Sequence, residues 1–244
     1  MNLLDHVAHR VYAPPDGPWI MHQTWRNLLF AHWPVTPNVL RPLVPPELPL
    51  DVYDGSCWVA VTPFFMTGVR PRLVPPLGPL SRLNELNVRT YVTLENKPGV
   101  FFFSLDAENL SAVLGARWLY HLPYFHARME SHHGDGGLEY SSSRYGGTAE
   151  FRAHYAPIAP VELRSRGTLE HWLTERYCLY TVSKRGIHRG EIHHLQWPLQ
   201  DATAEIRQNT MAAAAGIQLP QIAPLLHFSR ELDVLIWPLQ RVGK

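Results

Sequence analysis

Proline sets the strongest limit on what this chain can fold into. Its 22 prolines are spread along 244 residues, with doublets at Pro14-Pro15, Pro45-Pro46 and Pro75-Pro76. Each one fixes φ and removes a backbone donor, so long helices are restricted and the chain is punctuated into short elements. Between the prolines the patterns read mostly as strands. Met21 to Trp33 is aromatic-rich, and Cys57 to Met66 is an apolar run bounded by Asp54-Gly55 and Gly68. Leu86 to Glu95 alternates, Asn96-Lys97-Pro98-Gly99 is expected to turn, and Val100 to Asp106 returns as the hairpin partner. Further strands are expected at 124–131, 138–145, 148–155, 177–182, 187–194 and 227–238. The glycine cluster Gly134-Asp135-Gly136-Gly137 is the clearest turn.

Helices are few in this reading. A short one is expected in the first ten residues, where Leu3, Leu4 and Val7 are apolar. Another is expected after Thr36-Pro37 through Leu43, since proline suits the first helical position. Asn109 to Tyr120 has helical spacing, and Gly167-Thr168-Leu169-Glu170 opens a helix-like stretch to about Glu175. The four prolines between Arg70 and Leu80 mark a loop, expected to act as a flap. A mixed segment through Asp201 and Ala204 leads to Ala212–Ala215 and Gly216. The result is one mixed, mostly antiparallel α+β domain.

Composition removes several function classes. Hydrophobic residues make up 45% and charged residues 18%, which suits a folded core. A formal charge of +1 offers no electrostatic footprint for nucleic acid or an anionic membrane. No apolar run reaches the roughly 18 residues of a membrane helix, and the first residues lack the pattern of a signal peptide. Two cysteines, Cys57 and Cys178, cannot build a disulfide framework. A cytoplasmic location is the expectation.

The most informative segment is Asn84-Glu85-Leu86-Asn87-Val88-Arg89-Thr90-Tyr91-Val92. Side chains alternate across a strand, so Glu85, Asn87, Arg89 and Tyr91 share one face while Leu86, Val88, Thr90 and Val92 share the other. Two readings stay open. The polar face could be the solvated side of an antiparallel sheet, or it could line a closed polar cavity. In the second case burial would raise the glutamate's pKa and a neighbouring guanidinium would lower it.

Three segments carry a resemblance. The first is Trp25-Arg26-Asn27-Leu28-Leu29-Phe30 with His32, followed by Leu40, Leu43, Pro45, Leu48, Asp54-Gly55 and Trp58. The second is Asn84 to Val92. The third runs from Leu105-Asp106 through Ala116-Arg117 to Leu122-Pro123-Tyr124. Gly190-Glu191-Ile192-His193-His194, Trp197-Pro198-Leu199 and Ile236-Trp237-Pro238-Leu239 fit the same pattern. In order and spacing these segments, across residues 20–240, resemble the acetoacetate decarboxylase-like superfamily. They are most similar to its uncharacterised YqjF-like branch, the domain of unknown function 2071.

The resemblance implies a cone-shaped closed β-barrel with a few flanking helices and a ligand-sized cavity. It also implies a single such domain over residues 1–244, with residues 1–19 as an N-terminal extension. A glutamate lines the cavity in the decarboxylases, and Glu85 takes that place; Arg26 matches their early-strand arginine less securely. The departure lies at Pro123-Tyr124-Phe125-His126. Where the decarboxylases have Pro-Lys-Lys, Tyr124 stands at the Schiff-base position and Phe125 beside it. A phenol cannot form an iminium. The chain's three lysines, Lys97, Lys184 and Lys244, fall in expected turns or at the terminus, and arginine cannot substitute.

Other chemistry finds less support. Histidines are frequent, with pairs at His132-His133 and His193-His194, but strand neighbours point to opposite faces and no metal-ligand spacing is matched. No Gly-x-Ser-x-Gly elbow and no nucleotide-binding glycine loop is present, and Cys57 and Cys178 read as buried, inert thiols. No metal and no cofactor is therefore expected. The expected site has Glu85 and Tyr124 as the acid/base and hydrogen-bond-donor pair. Arg89, Arg26, Asn87, Tyr91, Arg117 and His194 are expected to surround the ligand. Arg117 could either turn toward the cavity or cap its helix. The expected partner is a small carboxylate or carbonyl compound, with a homodimer as the open oligomeric option and neither nucleic acid nor membrane. Proton transfer or decarboxylation without an iminium is one reading. A non-catalytic ligand-binding or stress-related protein is a second, and a structural or interaction barrel with no small-molecule site, its filled core holding a Glu85–Arg89 ion pair, is a third.

Overall fold

Short helices and long strands divide the chain much as the prolines dictate. The computed structural model describes residues 2–76 and 78–243, so Lys244 lies outside the described residues. The N-terminal helix is a single 3-10 turn at Leu3–Asp5. Strand β1 (Met21–Val35) is followed by α1 (Pro37–Leu40), with Pro37 at its first turn, and by a 3-10 turn at Arg41–Leu43. Strands β2 (Cys57–Pro71), β3 (Leu83–Leu94) and β4 (Lys97–Ala107) continue an antiparallel meander from β1. Helix α2 (Leu110–Tyr120) leads to a second meander of β5 (Tyr124–Gly134), β6 (Gly137–Arg144) and β7 (Glu150–Pro157).

Helix α3 (Leu169–Thr174) is capped by the Thr168 hydroxyl, which accepts from the His171 amide. It precedes the hairpin of β8 (Cys178–Ser183) and β9 (Gly186–His193). Strand β10 (Gln200–Asn209), α4 (Met211–Ala214), β11 (Leu225–Ile236) and β12 (Gln240–Val242) complete the chain. No helix among the described residues is long and apolar enough to cross a membrane.

The strands close in two ways around one shared wall. That wall is β4-β3-β2-β1-β11. In its first half β4 pairs in parallel with β8 through Val100 and Phe101, and at its end β11 pairs with β9 through Leu235 and Ile236. This closes a ring of seven strands through the β8–β9 hairpin. At its end β4 pairs with β5 through Leu105 to Ala107, and near its start β11 pairs with β10 through His227 and Phe228. This closes a second ring, of nine strands, through β5, β6, β7 and β10. The wider ring is packed with apolar side chains, among them Leu29, Val59, Tyr140, Phe151, Tyr155 and Met211. β4 and β11 thus each divide their pairing between two neighbours.

Two details differ from the sequence reading. The β3–β4 loop is Glu95-Asn96, both left-handed with φ of 53° and 59°, the backbone of a two-residue hairpin turn. Pro98 and Gly99 therefore lie inside β4 rather than in the turn. Gly99 is required there by close approach: a Cβ would sit 2.6 Å from Cys178 Sγ and 2.7 Å from the Cys178 carbonyl oxygen. The mixed segment is in fact the ten-residue strand β10. Its inward positions Gln200, Ala202, Ala204 and Ile206 are half-buried while Asp201, Thr203, Glu205 and Arg207 are exposed. Alanines at inward positions gave that alternation no hydrophobic contrast.

Candidate functional site

The solvated-face reading of residues 84–92 is overturned. Every residue from Leu83 to Val92 is buried, because β2 and β4 flank β3 and both of its faces are covered. Glu85 is 4% exposed and Arg89 8%. Both line a cavity of about 320 Å³ on the side closed by β8 and β9.

Local geometry aims aromatic side chains into the same space. Asn27 in β1 is left-handed, with φ of 50°, and the β1–β2 register shifts between Arg26 and Ala31. Trp25 and Phe30 consequently belong to one cluster although they are five positions apart. Trp197 stacks on Trp25 with ring centroids 5.9 Å apart and meets Phe30 edge-on at 4.8 Å. Trp25 and Trp197 both line the cavity.

The Tyr124 hydroxyl, at the start of β5, donates to Glu85 Oε2 over 2.7 Å. Burial is the main cause that pushes the Glu85 carboxyl up to about 7; hydrogen bonds from Tyr124 and Asn87 oppose it and the nearby Asp106 carboxylate adds to it. Burial and the adjacent carboxylate hold the Tyr124 phenol well above its ordinary value. Tyr124 is thus a fixed donor, and Glu85 can be either acid or base near neutral pH, the condition that suits proton transfer.

Arg89 makes no ion pair among the described residues, and its Nε has no hydrogen-bond partner. Its guanidinium lies 5.4 Å from the Phe30 ring centroid. Arg89 is not among the influences on Glu85, so the two do not form the structural ion pair considered above. A second guanidinium, Arg176, follows α3 and also lines the cavity. It is bound by Asp51 at 2.5 Å and by the Trp172 carbonyl at 2.7 Å, and it keeps Nη2 unpartnered. The sequence reading did not identify Arg176; its only signal was an arginine set between the aromatic residues Trp172 and Tyr177.

His194 lines the cavity as well. Its Nδ1 lies 2.6 Å from the Leu195 carbonyl oxygen, so that nitrogen carries the hydrogen. Burial, with Arg10 nearby, lowers its pKa to about 3 and keeps the ring neutral. His193 points the other way, toward the Leu3 carbonyl and Arg10, as strand alternation requires.

Four of the expected residues do not line the cavity. Arg26 lies at the surface, where it pairs with Glu231 at 2.6 Å and donates to Thr67. Arg117 is exposed and donates to the Tyr124 carbonyl at 2.6 Å, fastening the chain just beyond its helix rather than reaching the cavity. Asn87 is buried beside Glu85. Tyr91 lies beneath Arg89, with its hydroxyl 2.7 Å from His32 Nε2. Lys97 is the first residue of β4 and pairs with Glu191 at 2.7 Å, while Lys184 is exposed in the β8–β9 turn. Neither reaches the cavity, and no described residue from 70 to 81 lines it. Phe125 faces away from Glu85, with the Arg144 guanidinium 3.8 Å from its ring centroid.

Comparison with known proteins agrees with this architecture. The sequence model of DUF2071, an uncharacterized conserved protein family, matches residues 22–233. The uncharacterized protein YqjF of Bacillus subtilis is 48% identical over 240 residues, covering 98% of this chain and 99% of its own. Acetoacetate decarboxylase from Legionella pneumophila superposes with a TM-score of 0.67 at 13% identity, over 100% of this chain and 98% of its own. The enduracididine biosynthesis enzyme MppR, solved with pyruvate, superposes with a TM-score of 0.62 at 9% identity, over 94% and 92%. At such identities the likeness is one of fold.

Proposed function

We propose that this chain, which belongs to the DUF2071 family and has the acetoacetate decarboxylase-like fold, binds a small carboxylate or carbonyl compound in the cavity between Glu85 and Arg89. The observation that carries the reading is a buried, unpaired guanidinium sharing a cavity with a carboxyl group poised near neutrality. A buried cation without a counter-ion is costly, and an anionic oxygen of a ligand would supply the missing partner through charge-assisted hydrogen bonds. MppR, a protein of similar fold, has been solved with pyruvate, which supports an oxo acid as the class to test first.

The arrangement suits proton transfer next to a carbonyl. Ionised Glu85 would take a proton from the carbon beside the carbonyl, and the electron pair of that C–H bond would pass to the carbonyl oxygen as an enolate. Arg89 would hold that oxygen, and protonated Glu85 would return the proton. Tyr124 keeps Glu85 oriented by its hydrogen bond. No step passes through an amine.

Thermal unfolding with a panel of small oxo acids, hydroxy acids and neutral carbonyl compounds tests the reading. At a hundred times its dissociation constant a ligand adds about 2.7 kcal/mol, roughly 5–10 °C for a chain of this size. The shift is expected with the parent protein and is expected to vanish in Arg89→Ala. A panel without shifts refutes the reading; proton exchange at the carbon beside the carbonyl, followed by NMR in deuterated water, separates turnover from binding.

A further inference from the structure

The walls of the cavity are far less polar than a short oxo acid requires. Its polar end is compact. Arg89 and Arg176 both lie against Tyr91, the latter with its guanidinium 4.9 Å from the ring centroid, and Thr174 lines the cavity beside them. Away from these groups and the Glu85–Tyr124 pair, the lining is largely hydrocarbon: Met66, Val69, Leu83, Leu122, Leu179 and Ile236 come from different strands and loops and converge on one space. Leu119, 57% exposed, also lines it and marks an apolar border with solvent.

Size points the same way. A volume of about 320 Å³ lies within the range of pockets that enclose drug-sized ligands, and one water in the liquid takes about 30 Å³. An acid as small as pyruvate or acetoacetate would engage Arg89 and leave the hydrocarbon walls facing water or empty space. Either result forfeits the burial that makes an apolar pocket bind.

We infer that the ligand is a carboxylate bearing a bulky apolar group, an aryl or long branched chain. Its carboxylate lies at Arg89 and Arg176, and its apolar part fills the space bounded by Met66, Val69, Leu83 and Leu122. This inference rests on the reading that the cavity binds a carboxylate, and it names the class of acid. The two guanidiniums differ in role. Arg176 already has Asp51 as counter-ion, so Arg89, which makes no ion pair among the described residues, is the guanidinium that a ligand carboxylate would pair with.

Titration calorimetry of the full chain at pH 7.5 with three probes tests this. Phenylpyruvate carries both the carboxylate and the ring, pyruvate lacks the ring, and phenylacetone is the corresponding ketone without the carboxylate. Phenylpyruvate is expected to bind at least about tenfold more tightly than either of the others, the effect of burying one aromatic group or pairing one charge. Val69→Phe, which narrows the apolar end, is expected to weaken phenylpyruvate more than pyruvate and so to shrink the difference between them. Its melting curve verifies that it is folded, and the three probes on the parent protein decide the matter even if it is not. Pyruvate binding as tightly as phenylpyruvate overturns the bulky-acid class and leaves the small-carboxylate reading standing. Phenylacetone binding as tightly as phenylpyruvate overturns the carboxylate at Arg89 and the bulky-acid class with it, and leaves only the carbonyl-compound form of the proposed function. If none of the three binds, both fail.

Discussion

Tyr124 and Glu85 are joined by a 2.7 Å hydrogen bond across the cavity wall, the phenol of β5 donating to the carboxyl of β3. The bond ties the strand that begins the wider ring to the polar face of the shared wall. It also places a permanent donor on a carboxyl whose proton is held to about pH 7. Several measurable consequences follow from this pair and from its surroundings.

Glu85 makes the protein's stability depend on pH with a defined sign. Its folded pKa of about 7 lies above the ordinary 4.5, so between those values the folded chain holds a proton that the unfolded chain has released. Stability contributed by Glu85 therefore falls as pH rises from 4.5 to 7 and is level above that. Glu85→Gln keeps an oxygen for Tyr124 and removes this dependence. Melting curves should show the variant similar to the parent below pH 4.5 and more stable at pH 8, by roughly 3 kcal/mol at most. A variant less stable than the parent at pH 8 would show that Glu85 is ionised without cost.

Tyr124→Phe takes away a bond that favours the ionised carboxylate. The Glu85 pKa should rise further above 7, and its window of falling stability should extend to higher pH. Carboxyl-carbon NMR titration of Glu85 reads this directly. A drop toward 4.5 would show that the Tyr124 bond does not favour the ionised carboxylate. Loss of the bond itself should cost about 1 kcal/mol.

Buried histidines act in the opposite direction. His32, His194 and His227 are buried and their pKa values are lowered chiefly by desolvation. The unfolded chain takes up protons below about 6.5 that these rings refuse, so their share of stability is lost as pH falls. His194→Asn retains a side-chain N–H for the Leu195 carbonyl but cannot titrate. Acid unfolding followed by circular dichroism should have its midpoint moved to lower pH in this variant; an unchanged midpoint would mean that His194 is not neutral because of burial.

Gly99→Ala should lower stability by about 1–3 kcal/mol, since the new methyl group would press on Cys178 with backbone on one side. At about 2–4 °C per kcal/mol for a chain of this length, differential scanning calorimetry can resolve it. Because Gly99 lies where β4 meets β8, the cavity should be loosened too. A neutral substitution would mean that the β4–β8 approach yields without cost.

Much of the fold was legible because strand and turn chemistry is local. The aromatic run at 21–33, the apolar run at 57–66 and the glycine turn at 134–137 all lie within or beside strands of the described chain. Strand β10 was not legible, since alanines at its inward positions look like helix formers and give no period of two. The hairpin at Glu95-Asn96 was displaced by two residues because Pro98 and Gly99 are stronger turn formers than the pair that turns; their place inside β4 is set by Cys178, a contact 79 positions away in the chain.

The candidate site divides in the same way. Strand periodicity put Glu85, Asn87, Arg89 and Tyr91 on one face, and the structure keeps them on it. Arg26 looked equivalent by its neighbours in sequence, yet it lies among exposed groups beside Glu231. Arg176 had no periodic pattern to mark it, and it reaches the cavity only because α3 ends against β3 and Asp51 holds its guanidinium.

The chain by itself determined which residues alternate and where it must break, because φ restriction by proline and the two-residue repeat of a strand are properties of a few adjacent positions. It also determined that no lysine stands at position 124. Whether the polar face of β3 met water was decided only by tertiary structure. That depended on β4 and β11 each dividing their pairing between two neighbours, so that one closure packed solid and the other left space. Burial of a carboxyl, and with it a pKa near 7, is a property of everything that surrounds the group, and no stretch of sequence around Glu85 contains those surroundings.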